Sequence, residues 1–348
     1  MPLTIPSTLK LAQLKQLAFK CGISTSGTKP ILIQRLQDEI EQTQSKDISK
    51  SRAGKNVRIL SIDMGIRNLA YCILDVPTRS MVRPGAVGGR GKSVKGALPS
   101  ILAWHRLAVS SPPIATPTGD IEGLTTTVPA AKEAFDPATL SQTAYSLLRT
   151  QLLPAKPTHV LIERQRFRSM GSSHILEWTV RVNMFESILY AVLCTLKAEG
   201  LWEGSVRSVL PGKVGPFWVG EEVEEVLAGE TGEGGKIGKG RKKVRKSASA
   251  KIKNKGAKID LVRSWLESRD VVGLGNDGVK EMARRYVEKW DRVPGGRKKA
   301  GKGEGDVEEK MGKLDDLADC LLQGMAWVEW EENKRVVMKY GIQALLDP

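Results

Sequence analysis

The chain has 348 residues, with 54 Lys and Arg against 39 Asp and Glu, a formal charge of +15 and a pI near 9.6. That length allows a large core, and the basic excess favours a polyanionic partner such as nucleic acid, an anionic membrane surface being the other fit. No apolar run approaches the roughly 18 to 20 residues that cross a bilayer; Cys72, Cys194 and Cys320 fall in apolar surroundings, no CxxC spacing occurs, and the four cysteines argue against a zinc site or a disulfide framework.

Residues 1–37 carry several lysines and no Asp or Glu, which superficially resembles an organelle-targeting segment. The pattern inside it predicts structure. Leu9, Leu11, Leu14, Leu17 and Ala18 recur at helical spacing, the turn 22–27 interrupts, and Leu32, Ile33, Leu36 and Ile40 resume the period. The resulting helix-turn-helix unit resembles the SAP motif of DNA-binding proteins in Leu14, Leu17, Gly22, Gly27, Lys29, Leu32, Ile33, Arg35 and Leu36. The resemblance implies a grip on duplex phosphates without base reading, with Lys29 and Arg35 as candidate contacts. A helical hairpin docked on the main domain is the alternative, and the two are compatible. This unit is assigned to residues 1–42, and the polar stretch 43–56, without a sustained apolar period, reads as a linker.

The next stretch runs Ile59-Leu60-Ser61-Ile62-Asp63 and, after Gly65, continues into a second apolar run from Leu69 to Leu74. The pair predicts a β-hairpin that holds the Asp63 carboxylate at a fixed point on a sheet, where a metal-dependent hydrolase needs it. Arg67 lies in the connecting turn. A basic Gly/Pro/Ser loop follows at 78–96, suited to phosphate contact. Residues 101–109, with Trp104, predict a third strand; 110–129 read as a Pro/Thr-rich loop, and 130–153 as a helix broken or restarted near Pro137.

A short strand from Thr158 ends on Glu163, and Arg164, Arg166, Phe167 and Arg168 come next. A glutamate closing an apolar strand is costly to bury unless it is paired or metal-bound. A Glu–Arg pair is the plainer explanation of an isolated case. In this context the segment reads as an acidic metal ligand followed by a phosphate-binding turn. A helix over 172–198 shows a wide apolar face, either core or a dimer seam. Residues 205–210 predict a fifth strand, and 211–218 a turn-rich segment with an exposed-looking Phe217–Trp218 pair and with Lys213 in reach of a phosphate. An acidic run, 221–233, precedes eleven basic residues between Lys236 and Lys258; this reads as a loop that orders on a polyanion, or as a nuclear-localisation signal. Lys255 and Lys258 fall on or beside the helical spacing that resumes at Ile259. Residues 295–312 read as a surface loop.

The helix beginning at Leu314 carries Asp315, Asp316 and Asp319 in its first turn and a half, where the helix dipole favours carboxylates. Asp315 or Asp316 can share a face with Asp319 and point at one ion. N-capping explains one of the first two aspartates but not Asp319.

Asp63, Glu163 and the late aspartates, together with the segments 61–70, 162–169 and 315–319, resemble the RuvC-type Holliday junction resolvases of the ribonuclease H-like superfamily, and within them the fungal mitochondrial branch. The resemblance covers residues 57 to about 335. It implies an α/β fold with a mixed five-stranded sheet flanked by helices, preceded by the small SAP-like unit. It implies a catalytic domain over 57–335, with basic loop insertions at about 78–96, 211–254 and 295–312, and a C-terminal tail over 336–348. The implied activity is paired, symmetric, Mg²⁺-dependent nicking of four-way DNA junctions by a homodimer in the mitochondrion, in DNA recombination and segregation. The resemblance implies neither a membrane nor a small-molecule cofactor. Catalysis falls to Asp63, Glu163, Asp316 and Asp319, with the choice between Asp315 and Asp316 as metal ligand open. They would hold two Mg²⁺ ions, replaceable by Mn²⁺, about 4 Å apart. Arg67, Arg164, Arg166, Arg168, Lys213, Lys255 and Lys258 are candidate contacts to the junction arms, and Phe167 is either a wedge at the junction centre or a core residue. A ribonuclease H-fold nuclease acting on an RNA–DNA hybrid, or a DNA-binding protein without catalysis, are the competing readings.

Overall fold

The computed structural model describes residues 3–50, 57–77, 98–109, 135–165, 176–220, 248–291 and 314–346. The loops expected at 78–96 and 295–312, most of the 211–254 insertion, and Arg166, Phe167 and Arg168 lie outside them.

Three sequential strands open the main domain: β1 (Val57–Asp63), β2 (Leu69–Val76) and β3 (Ser100–Leu107). They form an antiparallel meander in which Asp63 pairs with Ala70 and Leu69 with Leu107. Gly65 belongs in the first turn because a Cβ there would stand 3.0 Å from the Asn68 carbonyl oxygen. β4 (His159–Glu163) adds on the far side of β1, parallel to it, and β5 (Ser205–Val209) lies parallel to β4. The mixed sheet expected from sequence is therefore present, with one strand more. Gly273 and Leu274 form β6, pairing parallel with Ser100 and Ile101, so the order is β5-β4-β1-β2-β3-β6. Two residues give no periodicity to read.

Strand alternation divides the core. Leu60, Ile62, Tyr71, Ile73, Val160 and Ile162 face one layer, formed by α3 (Pro137–Ser146) and α4 (Glu177–Ala198). Ile59, Ala70, Cys72, Leu74 and Leu161 face the other, formed by α5 (Pro211–Val219), α6 (Ala248–Ser268), α7 (Asp277–Asp291) and α8 (Leu314–Tyr340). α8 is the central helix of that layer: fifteen of its residues are buried, and Trp104, itself fully buried, donates its indole N–H to the Leu317 carbonyl at 3.0 Å. At Gly324 a Cβ would lie 2.8 Å from Leu74 Cδ1 and 3.3 Å from Ser61 Cβ, so only glycine lets the helix come this close to β1 and β2.

The N-terminal helices α1 (Leu11–Lys20) and α2 (Lys29–Lys50) do not stand apart. Leu14, Leu17, Ala18, Cys21, Ile23, Leu32, Leu36 and Ile40 share a core with Val336, Val337, Ile342 and Leu345, the last from the short helix α9 (Gln343–Leu346). Docking on the main domain is thus realised. Hydrogen bonds from Asn333 Nδ2 to the Lys20 carbonyl (2.6 Å) and from Lys20 Nζ to the Leu345 carbonyl (2.6 Å) fasten it further.

Several segments differ from their sequence expectation. α2 runs to Lys50, through the first part of the polar stretch read as a linker, where Gln44, Lys46 and Lys50 are good helix formers. Residues 336–340 and 343–346 are helical, and Val336, Val337, Ile342 and Leu345 pack the segment rather than leave it a tail. The helix expected from 130 begins at Pro137, capped by Asp136, whose side chain accepts from the Thr139 N–H; it then widens into a π-turn at Leu147–Leu152. Residues 211–219 are helical with Pro216 inside, and the aromatic pair is packed: Trp218 donates to the Leu322 carbonyl (2.9 Å) and Phe217 meets Trp330. α4 is long and apolar enough, by length and composition, to cross a bilayer, contrary to the reading of the sequence, yet Val182, Phe185, Leu189, Leu193 and Leu196 pack it into the core. Cys194 is exposed, whereas Cys21 is buried and burial pushes its thiol up to about 12.

Candidate active site

The register of the sheet assembles the site. β1 and β4 are parallel with Ile62 opposite Ile162, so Asp63 and Glu163 finish their strands side by side. This is the carboxyl edge of parallel strands, where open α/β sheets carry their ligands. Ser61 and Asp63 share the face of β1 that looks toward α8, and Asp319 lies one helical turn before Gln323, whose amide touches Ser61.

The electrostatics are those of acids crowded without enough compensation. Burial raises the Asp63 carboxyl well above the usual range, and its hydrogen bond with Glu163 and the negative charges of Glu163, Asp319 and Asp316 raise it further. Two carboxylates hydrogen-bonded to each other require a shared proton. Glu163 is raised by burial, the hydrogen bond to Asp63 acting against that, with Asp319 pushing upward and Lys258 downward. Asp319 is raised by burial and lowered by Lys258.

Each aspartate of α8 is met by its own cation. Lys258 Nζ lies 2.5 Å from Asp319 Oδ1, with the lysine side chain 18% exposed. Lys255 pairs with Asp315. Arg106 Nε lies 3.2 Å from Asp316 Oδ2, and its Nη2 donates to Asn68 Oδ1 in the β1–β2 turn. Among the described residues no three His, Cys, Asp or Glu side chains stand together as a metal cage; the aspartates turn to these cations instead. The donor set nevertheless suits a hard divalent cation: carboxylate oxygens only, partly buried, mutually repulsive and short of positive charge.

The predicted carboxylates are brought together, but the predicted DNA contacts are dispersed. Lys255 and Lys258 face the aspartates. Lys29 Nζ donates to the Ser7 carbonyl (2.5 Å), Arg35 Nη1 to the carbonyls of Ser24 (3.0 Å) and Ser26 (2.7 Å), and Lys213 Nζ to the Gly22 carbonyl (2.9 Å). These cations shape and fasten the N-terminal turn. Arg67 and Arg164 are exposed at the rim. Arg67 lies over the Trp178 ring at 4.9 Å, and Arg164 lines an open cleft of about 490 Å³ with Gln165, Asn183, Glu186 and Tyr190. Sequence reading missed Arg106 and Gln323. Arg106 gave no signal beyond being a charge on a strand, whereas Gln323 interrupts the apolar run from Cys320 to Met325.

Comparison with known proteins places the chain among relatives. A family profile described as mitochondrial resolvase Ydc2 / RNA splicing MRS1 matches residues 59–337, and a SAP domain profile matches residues 6–41. Cruciform cutting endonuclease 1, mitochondrial, of Schizosaccharomyces pombe is 29% identical over 330 residues, covering 93% of both chains. The protein of the same name from Saccharomyces cerevisiae is 24% identical over 340 residues, covering 93% of this chain and 82% of its own length. The crystal structure of the yeast mitochondrial Holliday junction resolvase Ydc2 superposes with a TM-score of 0.53 at 22% identity, covering 97% of this chain and 99% of that one, which shows a shared fold.

Proposed function

Because this chain belongs to the mitochondrial resolvase Ydc2 / RNA splicing MRS1 family, we propose that it is a mitochondrial, metal-dependent endonuclease that resolves four-way DNA junctions. The observation that carries the reading is the convergence of Asp63 and Glu163, side by side in register, on the aspartates of α8. The family description also covers RNA splicing, but a protein that only binds nucleic acid leaves these buried acids without a role.

Asp63, Glu163, Asp316 and Asp319 would hold the metal, Mg²⁺ or Mn²⁺ and two ions by the donor count. Asp316 is preferred over Asp315 because its charge reaches Asp63 and Arg106 ties it to the β1–β2 turn, whereas Asp315, whose charge reaches Asp319, pairs with the largely exposed Lys255. Bound there, divalent ions supply Lewis acidity at the scissile phosphate and activate the attacking water. The residues of the chain provide the rest. As ligands of a divalent cation Asp63 and Glu163 would both be ionised, their proton passing to solvent, and Arg106 would hold Asp316 in place. Lys258, now paired with Asp319, would be free to meet a phosphate oxygen if that aspartate held the metal.

Symmetric nicking requires two such sites, and α4 supports a homodimer. Only 28% of its most apolar 18 residues are buried, and Leu176 (74% exposed) and Val180 (47%) stand open near its start. The docked SAP unit adds a duplex-gripping surface. The test is to incubate wild type and Asp63→Asn with a mobile four-way junction, a linear duplex and an RNA–DNA hybrid, with and without Mg²⁺. Junction-selective, metal-dependent cutting that the variant lacks is expected; metal-independent cutting, an active variant or preference for the hybrid overturns the reading.

A further inference from the structure

Gln323 sits in the middle of α8, 3% exposed, in an otherwise apolar interface between helix and sheet. Its Nε2 donates to Ser61 Oγ at 3.1 Å and to the Ile62 carbonyl oxygen at 3.1 Å. Among the described residues the buried polar side chains are Thr25, Thr43, Ser61 and Gln323, and the last two are partners in this one contact. A buried amide gains little over a well-packed leucine and is costly wherever its bonds are lost. What it supplies is direction, since apolar packing tolerates a slide and a two-point hydrogen bond does not.

The direction it fixes is that of the carboxylates. Ile62 immediately precedes Asp63, and Ser61 shares its face of the strand. Asp319 is four residues before Gln323, on the same face of the helix. One helical turn advances about 5.4 Å and two strand residues roughly 6.7 Å, so the clamp and the acids form two nearly matched rungs between β1 and α8. Gly324 closes the gap beneath the clamp by admitting Ser61 and Leu74 against the helix backbone.

We propose that Gln323 is a positioning residue for the divalent-metal site, clamping α8 to β1 through Ser61 and Ile62 and so fixing the spacing of Asp319 from Asp63. This rests on the metal-dependent reading above. A sideways or axial slip of α8 breaks both bonds of the clamp at once, and the same slip carries Asp319 out of reach of a cation held by Asp63.

The test is Mn²⁺ binding to the full chain by titration calorimetry, without DNA, for wild type, Gln323→Met and Ser61→Ala. Methionine matches glutamine in volume and cannot donate, and Ser61→Ala removes one rung on the strand side, keeping the test open should the first variant fold poorly. Wild type binds saturably; Gln323→Met, with its cooperative thermal transition retained, binds about 10- to 100-fold more weakly, as loss of an outer-shell partner typically causes, and Ser61→Ala falls between. A purely structural amide lowers the melting temperature and leaves Mn²⁺ affinity of the folded variants unchanged, which overturns the proposal. Absence of saturable binding to wild type overturns the metal reading itself, and the proposal with it.

Discussion

A Cβ atom on Gly22 would stand 2.3 Å from Cδ2 of Trp330, so the backbone of the N-terminal turn lies directly on the indole of α8. Gly22 also has φ +65°, where a side chain adds strain. Gly22→Ala is therefore expected to cost about 1–3 kcal/mol through overpacking, and Trp330→Ala about 3–5 kcal/mol through the cavity left behind. Urea unfolding measures both. Unchanged stability in Trp330→Ala would mean that the SAP unit does not depend on this contact.

Asp63→Asn is expected to abolish cleavage and, without metal, to stabilise the fold at neutral pH. The folded pKa of Asp63 is raised, so its contribution is fully present below the ordinary carboxylate range and is lost as pH rises through the folded value. The neutral amide removes that loss. Thermal melts across pH in the presence of a chelator should show wild type weakening toward neutrality more than the variant; parallel curves would refute the account.

Lys258→Met leaves Asp319 without its cation in a site where each charge is only partly exposed. The metal-free variant should be less stable by about 1.5–3 kcal/mol, the range for hydrogen bonds to charged groups. Mg²⁺ should then raise its melting temperature more than it raises that of wild type, because the ion no longer competes with the ammonium. An equal shift in both proteins would count against competition.

Asp315→Asn and Asp316→Asn separate the two neighbouring aspartates. Single-turnover cleavage of a four-way junction should fall on the order of 100-fold or more for Asp316→Asn, as for loss of one preorganised transition-state group. Asp315→Asn should stay within several-fold, because the cation it pairs with, Lys255, is largely exposed. The reverse order would reassign the ligand.

Val180→Lys places a charge on the open face of α4 without disturbing the core. If α4 forms the proposed homodimer seam, sedimentation should show a shift from dimer to monomer, and cleavage of one strand should replace paired cleavage. A variant that remains dimeric would move the interface elsewhere.

The strands and carboxylates were legible because each is announced locally: an apolar run names a strand, and an acid closing it is conspicuous, as at Asp63 and Glu163. α8 was legible by its period. Partnerships across the chain were not. Lys258 meets Asp319 61 positions away, and Lys213 meets Gly22 191 positions away; a basic residue looks the same in sequence whether it faces a phosphate or a buried acid. The helix at 211–219 was hidden by Pro211, Gly212, Gly215 and Pro216, since tertiary contacts of Phe217 and Trp218 override weak propensity.

α8 spans 27 residues, about 40 Å at 1.5 Å per residue. Its first two turns carry Asp316 and Asp319, and Trp330, Val336 and Val337 hold the SAP unit near its other end. One uninterrupted helix is thus a caliper between the unit proposed to grip a duplex and the site proposed to cut its strand. From Asp319 to Val337 the jaw opening is roughly 27 Å, or about eight base-pair steps of B-form DNA. It is set by a count of residues at folding and is the same in any salt.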